Sequence, residues 1–434
     1  MKYFFFIAIL LANLSVAPGV TVAQSLIRPH DRIAIVGNTF ADQLRIHGYL
    51  ETALRQHVDD VSVRNLGWAG DMLSARDRPT NFVSEESILN THQTDVIIAC
   101  FGMGESFGGA DGIDQFRRDY ETFITTHAGK TYNGESEVRL VIVSPIASED
   151  LGKLTPDRDG RNQDLRAYTQ AAKEIATSAG LPFVDLFETS RYLMDEPAGP
   201  NLTTNGVHLN SFGYWAISHS FTDQLLATAD TLARRPAWRL TIDVASNFTD
   251  EYGVQISDLA VSDSVVSFQV TETSPPRLPP PTSHSPTNHS PSGKLATDQL
   301  AAEKALPPQL EFLRDQMTVR RLPPGDYTLS VDQQDVVTAA AEQWSSGVVI
   351  DSSPAHREAQ EFREAINDKN LQFTYSWKAL NQVHIVGERR TSPSGRELPK
   401  EVIQFNELAK QRDRKLRSGV ELKTRQWRLT RVQD

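Results

Sequence analysis

The residue types in this sequence that could carry chemistry are a hydroxyl, an imidazole and two glycine-rich stretches. Thr39 lies in "GNTF", directly after the apolar run "RIAIV", and His208 lies in "TTNGVHLN". A hydroxyl attacks an ester carbonyl when an imidazole removes its proton. Glycines in "NLGWAGD", at Gly67 and Gly70, and in "FGMGESFGG", residues 101–109, let backbone N–H groups approach an oxyanion closely. The set predicts hydrolysis of acyl esters.

These residues need a scaffold, and the sequence predicts one over residues 31–229. Apolar runs typical of strands covered on both faces alternate there with helical stretches. The predicted strands are 32–36, 61–66, 95–101, 139–144 and 182–187. Right-handed βαβ crossovers then give an α/β fold, a three-layer α/β/α sandwich around a five-stranded parallel sheet. Sites in such sheets lie beyond the carboxyl ends of the strands, where Thr39, both glycine stretches and His208 are expected.

Each of these features, taken alone, also has a structural interpretation. Thr39 has the residue type of an N-cap for the helix that starts near Ala41. His208 could be a hydrogen-bonded structural histidine, and Gly70 could simply form a turn. Their order along the chain, each in a loop at the same edge of the sheet, favours an active site.

Charge and cysteine content exclude several classes of function. The net charge of -11 argues against nucleic acid and anionic membrane surfaces as partners. It does not bear on a neutral substrate, and a small-molecule or carbohydrate ester is the expected partner. Cys100 is the only cysteine, so no intrachain disulfide and no Cys-based metal site can form. We expect it to be a small buried apolar group rather than a nucleophile. No cofactor or metal is predicted, because "GMGESFGG" lacks the Lys-Ser/Thr of a phosphate loop and no His–carboxylate cluster has ligand spacing.

The first residues predict export. Lys2 precedes an apolar run at residues 3–12, and "TVAQ" places Thr21 and Ala23 at the small positions of a cleavage site. Residues 1–23 are therefore predicted to be a signal peptide, and the mature protein is expected in the periplasm or outside the cell. The run is too short for a membrane span, so no stable span is expected after cleavage.

Residues 234–350 predict a small β-rich accessory region. The runs "WRLTIDV" and "SVVSFQVTE" contain β-forming residues, and a Pro/Ser/Thr-rich loop at 273–293 cannot bury a core. His284 and His289 lie in that loop and lack other ligands at a spacing suited to a metal.

Residues 351–434 predict a helical C-terminal region. It begins with a helix at 355–370, and a charged, solvated helix is expected from Glu397 onward. Between them, "LQFTYSW" alternates three aromatic residues on one face, which favours core packing over stacking on sugar rings: Phe373, Tyr375 and Trp377.

The order of the chemical blocks resembles the SGNH hydrolase superfamily, also called GDSL-type esterases or lipases, over residues 31–229. "IVGNTF" stands where the family has Gly-Asp-Ser, "AGD" matches its second block, "GMGE" its third, and "NGVH" its Asp-x-x-His. The wider context, with "RNLGWAGD", "ACFGMGESF" and "LVIVSPIASEDLG", resembles a branch found in exported proteins of planctomycete-type bacteria, as does the tail from "NDKNLQF" through "KEVIQFNEL". The resemblance implies a flavodoxin-like sandwich with an ester hydrolase site.

Carried over residue by residue, the resemblance implies Thr39 as nucleophile, His208 as base and Gly70 as an oxyanion donor. Gly104 stands where the family has an oxyanion asparagine, and Asn205 stands where it has the acid. Three of these five positions therefore depart from the family pattern. Three further residues are candidates for supporting the site or contacting substrate: Asn38, Asp71 and Glu105. The carboxylates of Asp71 and Glu105 could replace the missing acid.

The departures leave two hypotheses open. In serine proteases an acid-to-amide change beside the histidine lowers kcat by about 10⁴, and loss of one oxyanion donor costs on the order of 10² to 10³. The first hypothesis is an exported ester hydrolase, for example a carbohydrate deacetylase, that uses Thr39 and His208. The second is a catalytically degenerate member of the same fold whose cleft binds a glycan or a partner. Retention of both the hydroxyl and the imidazole favours the first.

Overall fold

The structure is a computed structural model that describes residues 25–78, 82–196, 199–227, 237–281, 310, 313–378 and 391–432. The predicted signal peptide, His284, His289 and the greater part of the Pro/Ser/Thr-rich loop lie outside these residues. Within them, no helix combines the length and the apolar character needed to cross a membrane.

A five-stranded parallel sheet forms the centre of the fold, as the sequence predicted. Its strand order is β2-β1-β3-β4-β5, the flavodoxin-like order. The strands are β1 (Arg32–Gly37), β2 (Ser62–Asn65), β3 (Val96–Cys100), β4 (Arg139–Val143) and β5 (Phe183–Val184). Strands β2 and β3 pair on opposite sides of β1, so the topological switch point lies beside the end of β1.

Helices cover both faces of this sheet because side chains alternate along each strand. On β1, Ile33 and Ile35 join one apolar core, while Ala34 and Val36 join the other. Cys100 lies in the first core, where burial raises the pKa of its thiol well above the usual range, and the prediction of a buried apolar group is confirmed. The helices are α1 (Thr39–His47), α2 (Tyr49–His57), α3 (Glu85–His92), α4 (Ile113–His127), α5 (Arg158–Ser178), α6 (Phe187–Met194) and α7 (Ser211–Leu226).

Two further sheets follow and share a separate apolar core that includes Trp238, Trp344 and Trp427. The first has the order β13-β10-β6-β7, and the second has the order β12-β11-β14-β9-β8. Their strands are β6 (Arg239–Asp243), β7 (Phe248–Tyr252), β8 (Val254–Val261), β9 (Val265–Glu272), β10 (Gln316–Arg320), β11 (Asp326–Val331), β12 (Gln334–Ala340), β13 (Val348–Val349) and β14 (Thr424–Arg431).

The C-terminal region differs from the prediction in two ways. It contains helices α8 (Ala341–Ser346), α9 (Pro354–Trp377) and α10 (Pro393–Leu416), but the chain then enters β14, which pairs between β9 and β11. The "LQFTYSW" segment is the end of α9, so the predicted one-face stripe is wrong. Phe373 and Trp377, four residues apart, are buried on the same helical face, while Tyr375 is 43% exposed. Core packing is confirmed for the two buried rings.

Buried charged side chains join α9 and α10 to the part of the chain that forms the five-stranded sheet. The Lys369 ammonium lies 2.6 Å from Glu51, and Arg55 lies 2.9 Å from Glu51 and 2.5 Å from Asp413. Burial lowers the pKa of Lys369 to about 8. Burial alone would raise the pKa of Asp413, but Arg64, Lys369 and Arg55 hold it far below the ordinary value. Helix α10 is therefore partly buried rather than fully solvated, because Asp413 faces this cluster.

Candidate active site

The turn after β1 leaves the Thr39 hydroxyl available for chemistry. Gly37 has φ +142°, and a Cβ atom there would collide with the carbonyl oxygen of Cys100. Asn38 is the N-cap of α1, because its side-chain oxygen accepts a hydrogen bond from Phe40 N at 3.0 Å. Thr39 is the first residue of the helix and is half-buried. The interpretation of Thr39 as an N-cap is wrong, and Asn38 has the structural role instead.

Three backbone N–H groups in the loops predicted to form the site have no hydrogen-bond partner among the described residues. They are the N–H groups of Thr39, Gly70 and Gly104. Gly70 is exposed with φ +87°, and no atom lies within 4 Å of the position of a Cβ. At Gly104 a Cβ would lie 2.9 Å from Met72 Cγ, so a larger residue requires Met72 to move. Gly104 can therefore offer its backbone but has no side-chain donor.

His208 is held by Asn205, as the resemblance implied for the pair of positions. The Asn205 Nδ2 lies 2.9 Å from His208 Nδ1. The Asn205 Oδ1 accepts from the backbone N–H of His208 at 2.9 Å and of Val207 at 3.3 Å. These two donors fix the amide orientation, because the reverse orientation would place its NH₂ group against two N–H groups.

This orientation decides which nitrogen of His208 carries the proton. An amide NH₂ can only donate, so Nδ1 accepts and the neutral ring is protonated at Nε2. A histidine that acts as a base through Nε2 needs the opposite arrangement, with the proton on Nδ1. Desolvation lowers the pKa of His208 below its ordinary value, so the ring is neutral near pH 7. No hydrogen bond joins Thr39 and His208, both of which the structure describes.

Neither predicted carboxylate replaces the missing acid. Both oxygens of Asp71 pair with Arg78, at 2.8 and 2.5 Å. The Glu105 carboxylate accepts from the backbone N–H of Leu73 and of Gly102, both at 2.9 Å, and burial raises its pKa. Both residues organise the glycine-rich loops rather than the imidazole.

Sequence reasoning missed two sets of contacts, one that anchors the His208 loop and one that joins α7 to α1 beside Thr39. The buried Glu149 carboxylate accepts from Leu202 N at 2.8 Å and from Thr203 N at 2.7 Å, and its backbone N–H donates to Gly206 O at 2.9 Å. On α7, the Tyr214 hydroxyl donates to the carbonyl of Phe40, next to Thr39, at 3.1 Å. The position of Glu149 in "IASED", beyond the end of β4 at the same sheet edge, is a sequence signal that could have identified it.

A metal centre has no donor set in the described ranges. Nowhere in them do three or more His, Cys, Asp or Glu side chains come together in a way that could hold a metal ion. The groups described above at the candidate site are a hydroxyl, an imidazole and backbone N–H groups.

Comparison with known proteins agrees with the fold. The sequence model of the GDSL-like Lipase/Acylhydrolase family matches residues 34–216. No curated protein matches the chain. Among solved structures, a gut microbial diltiazem-metabolizing enzyme, BT4096, is similar at 15% identity and TM-score 0.68, covering 94% of this chain and 98% of that one. Axe2, an acetylxylan esterase from Geobacillus stearothermophilus, is 16% identical with TM-score 0.36, covering 46% of this chain and 96% of its own.

Proposed function

We propose that this chain is a carboxylic ester hydrolase, because the model of the GDSL-like Lipase/Acylhydrolase family matches residues 34–216. The protein hydrolyses small esters with Thr39 as nucleophile and His208 as base. The observation that carries the proposal is that the Thr39 hydroxyl lies at the start of α1 without serving as its N-cap. At that position the helix dipole favours developing negative charge.

The reaction follows the two-step course of acyl transfer. Thr39 Oγ1 attacks the ester carbonyl while His208 Nε2 takes its proton, and the N–H groups of Thr39, Gly70 and Gly104 stabilise the oxyanion. The protonated His208 then donates to the leaving alcohol. Water, deprotonated by His208, releases the acid from Thr39. For Nε2 to accept, Asn205 must turn its oxygen to Nδ1–H and give up its bonds to the backbone N–H of Val207 and His208.

Acetylated carbohydrates are the substrate class that we propose. The net charge of -11 favours neutral over anionic substrates. Phe107, in the loop that carries Gly104, is 69% exposed, and its ring is supported from beneath by the Arg161 guanidinium carbon at 3.8 Å from the centroid. An exposed ring held in this way offers a flat face for a sugar.

The test is hydrolysis of p-nitrophenyl acetate by the native protein, Thr39→Ala and His208→Ala. The proposal expects turnover that both variants lose, with fluorophosphonate labelling at Thr39 only in the native chain. Asn201→Ala, in the same exposed loop, is the control and should keep the native rate. Turnover that survives both active-site variants would refute the mechanism.

A second function is supported by one observation, the Asn205 amide that keeps the His208 proton on Nε2. A cleft with this arrangement could bind a glycan without cleaving it. Saturable binding of acetylated oligosaccharides without acetate release, unchanged in Thr39→Ala, is the expected result for such a binding module.

We also infer export to the periplasm or the medium from the pattern of residues 1–23. N-terminal sequencing of protein recovered from those compartments should begin at Gln24. Intact Met1 on exported protein would contradict this.

A further inference from the structure

A cavity of about 310 Å³ lies away from the candidate active site, at the side of the sheet formed by β2. Helices α3, α9 and α10 form its other walls. Arg32, at the start of β1, lines it, whereas Thr39 follows the end of the same strand. At about 3.3 Å per residue, β1 separates the two places by about 20 Å. The cavity is therefore distinct from the ester hydrolase site.

The walls of the cavity carry an excess of positive charge. Five basic side chains line it, namely Arg32, Arg64, Lys410, Arg414 and Arg417, against one acidic side chain, Asp413. The Asp413 oxygens already accept from Arg55 at 2.5 Å and from Ser62 at 2.6 Å. Lys410 pairs with Glu407, and Arg417 pairs with Asp60 and Asp413. Within the described ranges, Arg32 and Arg414 form no ion pair. This is a cationic recess in a chain whose net charge is -11.

One of these cations is built into the cavity rather than placed on the surface. The Arg64 side chain is only 7% exposed, and its guanidinium lies 3.5 Å from Asp413 and 5.3 Å from the centre of the Phe373 ring. Asp413 is shared among Arg55, Arg64 and Ser62, so the Arg64 charge is only partly neutralised. Holding such a group at low exposure costs free energy, which an added anion would recover.

The wall of the cavity on the α9 side is apolar. Phe373 and Trp377 stack with ring centres 6.0 Å apart and planes inclined by 13°. The apolar part of the lining also includes Ile88, Val402 and Ile403. A cavity of this size with an apolar wall and a few converging charges is typical of a small-molecule site. Inorganic anions would leave the apolar wall unfilled, so the geometry favours an organic anion.

We propose that this cavity binds a small carboxylate with a flat apolar body. The carboxylate pairs with the arginines, which present forked N–H donors to two oxygens, and the apolar body lies along Phe373 and Trp377. The proposal does not depend on the ester hydrolase function.

Isothermal titration calorimetry of the full chain with 2-naphthoate tests the proposal, and 2-naphthalenemethanol is the neutral probe of the same shape. We expect 1:1 binding of the carboxylate, about tenfold tighter than that of the alcohol. Arg414→Gln and Arg32→Gln should each weaken binding about fivefold, as expected for partly screened charges. Because Arg414 is exposed, its loss should leave the melting temperature unchanged.

Lys415→Gln is the matched control, since Lys415 is exposed on the same helix and does not line the cavity. It removes the same charge and should leave the affinity unchanged. The proposal is overturned if neither probe binds, if the alcohol binds as tightly as the carboxylate, or if Lys415→Gln weakens binding as much as Arg414→Gln.

Discussion

Asn205→Asp should convert a poorly oriented His208 into a general base. In the native chain the single Asn205 oxygen is occupied by the backbone N–H groups of His208 and Val207, at 2.9 and 3.3 Å. An aspartate has two oxygens. One can keep these backbone bonds, while the other accepts from His208 Nδ1–H, which leaves Nε2 free to take the Thr39 proton. The substitution therefore needs no rearrangement of the loop.

The size of the gain follows from known effects and from the exposure of the pair. The reverse change in serine proteases costs about 10⁴ in kcat, equivalent to about 5.5 kcal/mol of activation free energy. Asn205 and His208 are both exposed, so solvent screens the new charge. We expect kcat to rise by about 10². The new carboxylate should also raise the pKa of His208, which in the native chain lies below its ordinary value.

The assay is the initial rate of p-nitrophenyl acetate hydrolysis from pH 4 to 9. Because only the neutral imidazole is a base, the native rate should fall as pH drops through a value below about 6.5. In Asn205→Asp that fall should occur at higher pH. Asn201→Asp adds the same charge to the same loop and should change neither quantity. No gain in Asn205→Asp, or an equal gain in the control, would refute the tautomer argument.

Other predictions concern the supports of the site and the domain contacts. Glu149→Gln weakens the acceptor that anchors the His208 loop and should lower kcat and cost about 1–3 kcal/mol in urea unfolding. Gly104→Asn places Cβ 2.9 Å from Met72 Cγ, so it should destabilise the protein by about 1–3 kcal/mol, and Met72→Ala should relieve this cost in the double variant. Lys369→Met leaves Glu51 with one cation fewer in a buried cluster and should cost about 3–5 kcal/mol in thermal or urea unfolding.

A contradicting result is stated for each of these three substitutions, and two of them have a matched control. Exposed Glu188→Gln should be neutral, and an equal loss there would mean that the Glu149 effect is not specific. If Gly104→Asn leaves the free energy of unfolding unchanged, the loop that contains Gly104 moves freely enough to accept the side chain. Lys400→Met, on exposed α10 surface, is the control for Lys369→Met, and equal losses in the two would contradict a role for burial.

Local sequence patterns were sufficient for the central sheet. Continuous apolar runs mark β1, β3 and β4 because both of their faces are buried, and Gly37 marks a turn that only glycine can make. Since the strands are parallel, their following loops had to meet at one edge. The resemblance to the SGNH hydrolases predicted Thr39 and His208 at that edge.

Contacts between residues that are distant in sequence could not be predicted from local patterns. Strand β14 pairs Trp427 with Phe268, about 160 residues earlier, and no local period identifies that partner. The α9 aromatics were wrongly predicted to share one face, because a short apolar run fits both the helix and the strand period and only packing against the sheet decides between them.

The sequence by itself determined the fold class, the order of the chemical blocks and the presence of a hydroxyl and an imidazole, since these depend on local periodicity and residue type. Only the tertiary structure decided that Asn38 rather than Thr39 caps α1, that Asn205 presents its NH₂ to His208, and that Arg64 is enclosed beside Asp413. The reason is physical. Side-chain orientation and charge depend on which donors and acceptors the fold brings together, and these come from residues far apart along the chain.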